Sequence, residues 1–315
     1  MAFTFRPATR ENVGLLVGLS GPSGSGKTYT AMRLAKGIAG DGPFAVIDTE
    51  AGRARHYADR FRFDHGDLAA PFTPVRYAEA IAAADAAKYP VIVVDSASHE
   101  WAGDGGILDW QEKELDRMAG DDWKKREACK MAAWIKPKMS HKQMVNRLLQ
   151  VRAHLILCFR AEPKIEMVRV DGKMEIREKQ SLTGLHGWIP VCEKSLPYEL
   201  TASFLLLPDK PGVPLPIKLQ EQHKDLFPLD RPITEASGTN LAAWAKGAPP
   251  VPPDEWMARI AAAVTKDALA GIGRDLKAAQ LPAPDLAPIR AAYDARLKAF
   301  AASPAGTPTV GDIFK

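Results

Sequence analysis

Three short stretches carry side chains that can act together on a phosphorylated substrate. The first is GPSGSGKT, Gly21 to Thr28. Gly21, Gly24 and Gly26 let backbone amides turn inward around phosphate oxygens, at the start of a helix whose dipole favours anions. Lys27 then reaches the β- and γ-phosphates, and Thr28 offers a hydroxyl to Mg²⁺. Pro22, Ser23, Ser25 and Tyr29 complete the segment expected to touch the nucleotide, ATP. A GxxxxGK pattern followed by Ser or Thr arises by chance in roughly one chain of this length per hundred, so the flanking elements decide its meaning.

Those flanks fit. VGLLVGLS, residues 13–20, is an apolar run short enough for a buried strand, and Ala31, Leu34, Ala35 and Ile38 then follow helical spacing. The second stretch, PFAVIDTEAG at 43–52, ends its apolar run in Asp48 and Glu50. The third, YPVIVVDS at 89–96, delivers Asp95 to the end of a β-branched strand. All-apolar runs of this kind predict parallel strands covered on both faces, with ligands beyond their carboxyl ends. Asp95 is therefore expected to hold the Mg²⁺ shell, with Ser96 beside it. Hydrolysis also needs a carboxylate to position the attacking water. Two candidates stand open: Glu50, at the end of a strand neighbouring the phosphate loop, and Glu100, five residues after Asp95 in SASHEW.

VIDTEAGRARHYADRF and VIVVDS resemble the corresponding stretches of the bacterial recombinase RecA and its relatives. Closer still is the likeness to RecA-core ATPases of phages and prophages, which join a GPSGSGKTYTA-like loop, a DTE strand and a DSxSHxW segment. The resemblance covers about residues 10–247. It implies an α/β fold of the RecA-like P-loop NTPase type, a mainly parallel central sheet flanked by helices. It gives the catalytic role to Glu50 and the Mg²⁺ role to Asp95, and it implies a homo-oligomer, a ring or short filament. RecA's N-terminal polymerisation helix has no counterpart in the dozen residues before the first strand.

AHLILCFR at 153–160 predicts another strand. Where RecA proteins end the equivalent strand in a polar γ-phosphate sensor, this sequence has Arg160. Three roles stand open for it: sensing the γ-phosphate, serving a neighbouring subunit, or a surface salt bridge with Glu162. DDWKKREACKMAAWIKPKMSHKQMVNR occupies the place where RecA proteins carry a helix and a DNA-contacting loop. Its Lys124, Lys125, Arg126, Lys130, Lys136 and Lys138 alternate with Trp123 and Trp134, the ingredients of a single-stranded DNA site. The alternative is an amphipathic helix whose tryptophans pack on the sheet. KIEMVRVDGKMEIRE at 164–178 turns at Asp171-Gly172 and predicts a hairpin. Its Arg169 and Lys173 either contact DNA or belong to a solvated hairpin, and Lys173, Arg177 and Lys194 are also candidates for fingers across a subunit interface.

The 315 residues suit one domain of ordinary size plus an appendage. Net charge is only +4, which excludes a general polyanion coat. The surplus is concentrated, with eight Lys or Arg against three acids between Asp121 and Arg147. Cys129, Cys158 and Cys192 form no CxxC pair and read as reduced, mostly buried thiols. No apolar run is long enough to span a bilayer and MAFTFRPATRE is not a secretory signal, so the expected location is the cytoplasm, with no membrane contact. ELTASFLLL and PLPIKLQ close the core, giving an ATPase core at 1–247. A proline-rich linker at 248–255, a small C-terminal helical module at 256–302 and a tail at 303–315 follow, the tail offering GDIF to a protein partner. The expected function is a Mg²⁺-dependent ATPase acting on single-stranded DNA in phage-type recombination or repair. A RecA-core motor or switch working on proteins in packaging or defence is the alternative, and a small-molecule kinase the third.

Overall fold

Short apolar runs, each buried along its whole length, make the centre of the larger unit. The structure is a computed structural model that describes residues 14–170, 173–178, 187–246, 253–279, 281 and 283–302. It contains β1 (Leu16–Gly21), β2 (Phe44–Asp48), β3 (Phe63–Asp67), β4 (Val91–Asp95), β5 (His154–Pro163), β6 (Ile165–Val170), β7 (Lys173–Glu178), β8 (Trp188–Pro190), β9 (Ala202–Leu205) and β10 (Leu215–Lys218). Its helices are α1 (Lys27–Ala39), α2 (Pro74–Ala86), α3 (Ser98–Ala102), α4 (Ile107–Ala119), α5 (Trp123–Cys129), α6 (Ile135–Leu148), α7 (Leu196–Glu199), α8 (Glu235–Ala245), α9 (Pro253–Ala262), α10 (Lys266–Ala279) and α11 (Ala283–Ala302).

The sheet runs β10-β9-β1-β5-β4-β2-β3, with β8 joined to β5. Every pairing from β9 to β3 is parallel, while β10 and β8 run antiparallel to their neighbours in this sheet. Side chains on the central strands alternate between two apolar layers, as the two-residue period of a strand requires. Val17, Val46, Val93 and Ile156 face the layer closed by α1 and α8, while Leu16, Ile47, Ile92 and Leu157 face the layer closed by α2 and α6. This is the α/β RecA-like arrangement expected from the sequence.

Helix α1 is clamped from behind. A Cβ on Gly37 would lie 1.8 Å from the Glu235 carbonyl oxygen, and one on Gly238 would lie 2.2 Å from that of Leu34. The two helices therefore touch backbone to backbone, which only glycine allows. Arg33 and Glu235 add an ion pair at 2.7 Å across the same contact.

The hairpin of β6 and β7 forms as the sequence predicted, with Val170 opposite Lys173. Its turn, residues 171–172, lies outside the described residues. The edge strand β3, FDHGD, was not expected, because it is too polar to stand out as a strand and gains its place by pairing with β2.

Residues 248–315 form a second compact unit. Here α9, α10 and α11 pack around Trp256, Ile260, Leu269, Leu276 and Ile289. One expected boundary needs correction. Helix α9 begins at Pro253, inside the stretch assigned to a linker, because proline suits the first helical turn and Asp254 and Glu255 complement the dipole there. Between α9 and α10 the chain turns, and the Thr265 hydroxyl caps α10 by accepting from the Ala268 amide at 3.1 Å. Residues 248–252 and the tail at 303–315, with its GDIF, lie outside the described residues. Among those described, no helix is long and apolar enough to cross a membrane.

Candidate nucleotide-binding site

The phosphate loop, Pro22 to Gly26, joins β1 to α1. Gly24 and Gly26 sit at φ of 80° and 81°, a left-handed conformation that a side chain would strain. Gly26 is the N-cap of α1, where no side chain caps the helix and the first turn carries no acid. The amides of that turn are thus left for an anion. The Ser25 hydroxyl is buried with no hydrogen-bond partner, and Ser23 and Gly24 are exposed. Lys27 reaches back to donate to the Pro22 carbonyl at 2.8 Å. Burial holds the Lys27 ammonium below its usual pKa, against the raising influence of Cys158, Asp95 and Glu50. From the far side the loop is backed by residues 206–213, where the Gly212 amide donates to the Ser25 carbonyl at 3.1 Å.

Asp95 ends β4, which is not the neighbour of β1, since β5 lies between them. The Thr28 hydroxyl crosses that gap and donates to Asp95 Oδ2 at 2.6 Å. Burial pushes the Asp95 carboxyl up to about 6, opposed by the bond from Thr28 and reinforced by the negative charge of Glu50. A hydroxyl and a carboxylate at the mouth of a phosphate loop are hard oxygen donors of the kind Mg²⁺ takes, with phosphate oxygens and water completing the shell. The residues present therefore fit the ion.

Glu50 lies beyond β2 on a loop shaped by Asp48. That buried carboxylate accepts from the Glu50 amide at 2.6 Å and the Ala54 amide at 2.8 Å, while His65 Nε2 lies 3.2 Å away. The sequence marked Asp48 only as one of two acids, whereas the structure uses it to aim the other. Thr49 links this loop to β4, its hydroxyl 2.8 Å from His99 Nδ1 and accepting from the Ser96 amide at 2.8 Å. Tyr77 donates to the Ser96 carbonyl at 2.8 Å. Thr49, Tyr77 and His99 were not singled out from the sequence, because the pairing of β2 with β4 and the packing of α2 on them bring the three together.

Arg160 stands opposite Gly21 in the β1–β5 register. It does not form the salt bridge with Glu162 that was one sequence reading. Its Nε and terminal nitrogen instead donate to Glu50 Oε1 at 3.2 and 2.8 Å, and Arg53 donates to Glu50 Oε2 at 3.2 Å. Burial raises the Glu50 carboxyl, but the bonds and charges of Arg160 and then Arg53 outweigh it and leave the group below its ordinary pKa. Burial, and next the charge of Arg160, hold His99 below the usual histidine value.

Glu100 is a different kind of acid. It is buried beneath α6 and paired with His141 at 2.9 Å. It lines a small apolar cavity with Tyr77, Ile81 and Met144, on the sheet face away from α1. Tyr29 turns from the phosphate loop toward Tyr57 and Phe61, with ring centroids 6.0 and 5.7 Å apart.

The basic segment lies on α5 and α6. Arg126 is tied to Glu112 and Asp116 of α4, and Lys136 pairs with Glu114 at 3.2 Å. Lys130 is 3.7 Å from Glu127. These contacts offset three of the charges assigned to DNA. Lys124, Lys125 and Lys138 remain exposed, with Lys124 over the ring of Trp123. Trp123 is 72% exposed, contrary to the reading that both tryptophans pack inward, whereas Trp134 stacks on Trp101. Met131, Ile135 and Met139 form an exposed apolar ridge at four-residue spacing. On the hairpin Arg169 is exposed, and the side chains of Lys173 and Arg177 lie outside the described set. Cys158 and Cys192 are buried free thiols and Cys129 is half-buried.

Residues 14–185 match the family model AAA_24, described as an AAA domain. Among solved structures the chain is similar to a KaiC-like protein of the hyperthermophilic archaeon Pyrococcus horikoshii, at 15% identity and a TM-score of 0.33, over 62% of this chain and 71% of that one. No curated protein gives a match to this sequence.

Proposed function

This chain belongs to the AAA-domain family AAA_24, and from that premise we propose that it is a Mg²⁺-dependent ATPase driven by single-stranded DNA, of the kind used in phage-type recombination or repair. The AAA-type ATPase domain is the established part, and the DNA effector is our reading. One observation carries the chemistry. An uncapped helix start, Lys27, the Thr28–Asp95 pair and Glu50 converge at the carboxyl ends of β1, β4 and β2. The loop amides and Lys27 would grip the triphosphate. Thr28 and Asp95 would hold Mg²⁺, which neutralises charge on the phosphoryl oxygens when bound. Glu50 would orient the water, and its depressed pKa keeps it an acceptor at neutral pH. Glu100 is unsuited to that task because His141 occupies it inside the α2–α6 layer.

The DNA reading is supported by the exposed ring of Trp123 beside Lys124 and Lys125, since bases stack on flat rings while cations follow the phosphates. The Met131–Ile135–Met139 ridge favours a second reading, a switch that acts on a protein partner. ATP turnover with and without single-stranded DNA separates the two. The first expects stimulation that fades as salt rises, the log of affinity falling by about 0.7 per phosphate contact for each tenfold rise in salt. Turnover indifferent to DNA at low salt refutes it.

A further inference from the structure

We propose that Arg160 is a latch on Glu50 that a γ-phosphate opens, so that the carboxylate is withheld from water until a triphosphate fills the loop. The proposal rests on the reading of Glu50 as the group that positions water.

Four observations carry it. Both Arg160 donors converge on the one oxygen Oε1, a clasp that occupies the atom a water would need. The residue is set on β5, level with Gly21 at the entrance of the phosphate loop, and its amide is anchored by the Ser98 hydroxyl at 2.8 Å. Its positive charge acts on the ammonium of Lys27 in the phosphate loop. The guanidinium side chain is 52% exposed, so a change of rotamer meets no packed core.

A half-exposed ion pair is weak, about 1 kcal/mol at most. A γ-phosphate offers two oxygens in the fork geometry a guanidinium prefers, and more negative charge than one carboxylate. Moving Arg160 from Glu50 to the phosphate is then downhill, and a diphosphate places no oxygens at the γ-position. Arg53 does not play this part, because it sits on the same loop as Glu50 and travels with it.

The test is a double-mutant cycle on nucleotide affinity, measured by calorimetry with Mg²⁺ and either a non-hydrolysable ATP analogue or ADP. Glu50→Gln weakens the clasp and is expected to raise analogue affinity about fivefold, the factor that corresponds to ~1 kcal/mol. ADP affinity should move less than about twofold. In the Arg160→Ala background the gain should vanish. A gain of equal or greater size without Arg160 means that Glu50 acts by repulsion alone, and an equal gain for ADP means that the γ-phosphate is not the trigger; either overturns the latch. Turnover of Glu50→Gln is read separately. Normal turnover beside intact coupling sinks the catalytic reading of Glu50 while leaving the ion-pair exchange in place.

Discussion

His154 opens β5, and its Nδ1 accepts the Leu15 amide at 3.3 Å, tying the central strand to the approach to β1. An acceptor nitrogen cannot carry a proton, and burial lowers this imidazole from 6.5 to about 4. In the unfolded chain it titrates normally, so on acidification the unfolded state takes up its proton first. The stabilisation is complete above pH 7 and is lost as pH falls from the unfolded value to the folded one. Shifted from 6.5 to about 4, the group accounts for about 3 kcal/mol over the whole window, of which about 2 kcal/mol falls between pH 7 and pH 5. His154→Asn places an amide oxygen near the position of Nδ1 and cannot be protonated in this range. Urea unfolding followed by tryptophan fluorescence, at pH 7 and pH 5, gives the loss for each protein. The variant should lose about 2 kcal/mol less than the wild type. His99 and His223 also have lowered values, but they are common to both proteins and cancel in the difference. Equal losses in the two proteins refute the account.

Other outcomes follow from the same geometry. Lys27→Ala should abolish ATP binding in calorimetry while the thermal transition of the nucleotide-free protein stays within a few degrees. Glu50→Gln should slow turnover by about 10²-fold or more and leave ATP bound after gel filtration, whereas Glu100→Gln should leave kcat within a few-fold and lower stability by about 1–3 kcal/mol, because His141 loses a charged partner. Gly37→Ala should cost about 3 kcal/mol or more in chemical unfolding, since a Cβ there meets backbone and not a pliable side chain. Trp123→Ala should leave the melting temperature unchanged and weaken binding to a fluorescent single-stranded oligonucleotide, as the ring is 72% exposed.

The centre of this fold was readable because its signals are local. The central strands β1, β2 and β4 are self-contained apolar runs, the phosphate loop is a contiguous pattern, and Asp171-Gly172 announces the hairpin around it. What escaped depends on partners distant in sequence. FDHGD becomes a strand only beside β2. Asp48 and Glu50 are alike on paper, and three-dimensional bonding to the amides of Glu50 and Ala54 separates their duties. Glu162 was a reasonable partner for Arg160, since residues two apart on a strand share a face, but the guanidinium donates instead to Glu50 at 2.8 Å, a carboxylate 110 positions away in sequence. The cations of α5 and α6 looked equally available until α4 supplied carboxylates to Arg126 and Lys136.

The backbone contact of α1 with α8 bears on how the chain is made. The buttress behind the phosphate-gripping helix comes from residues about 200 positions downstream, the separation of Arg33 from Glu235. During synthesis the flank bearing Leu34 and Ile38 has no cover until nearly all of the larger unit has left the ribosome. A truncation before Glu235 would accordingly yield a sticky, nucleotide-blind fragment in place of a smaller working enzyme, and limited proteolysis of such a fragment should cut within α1 first.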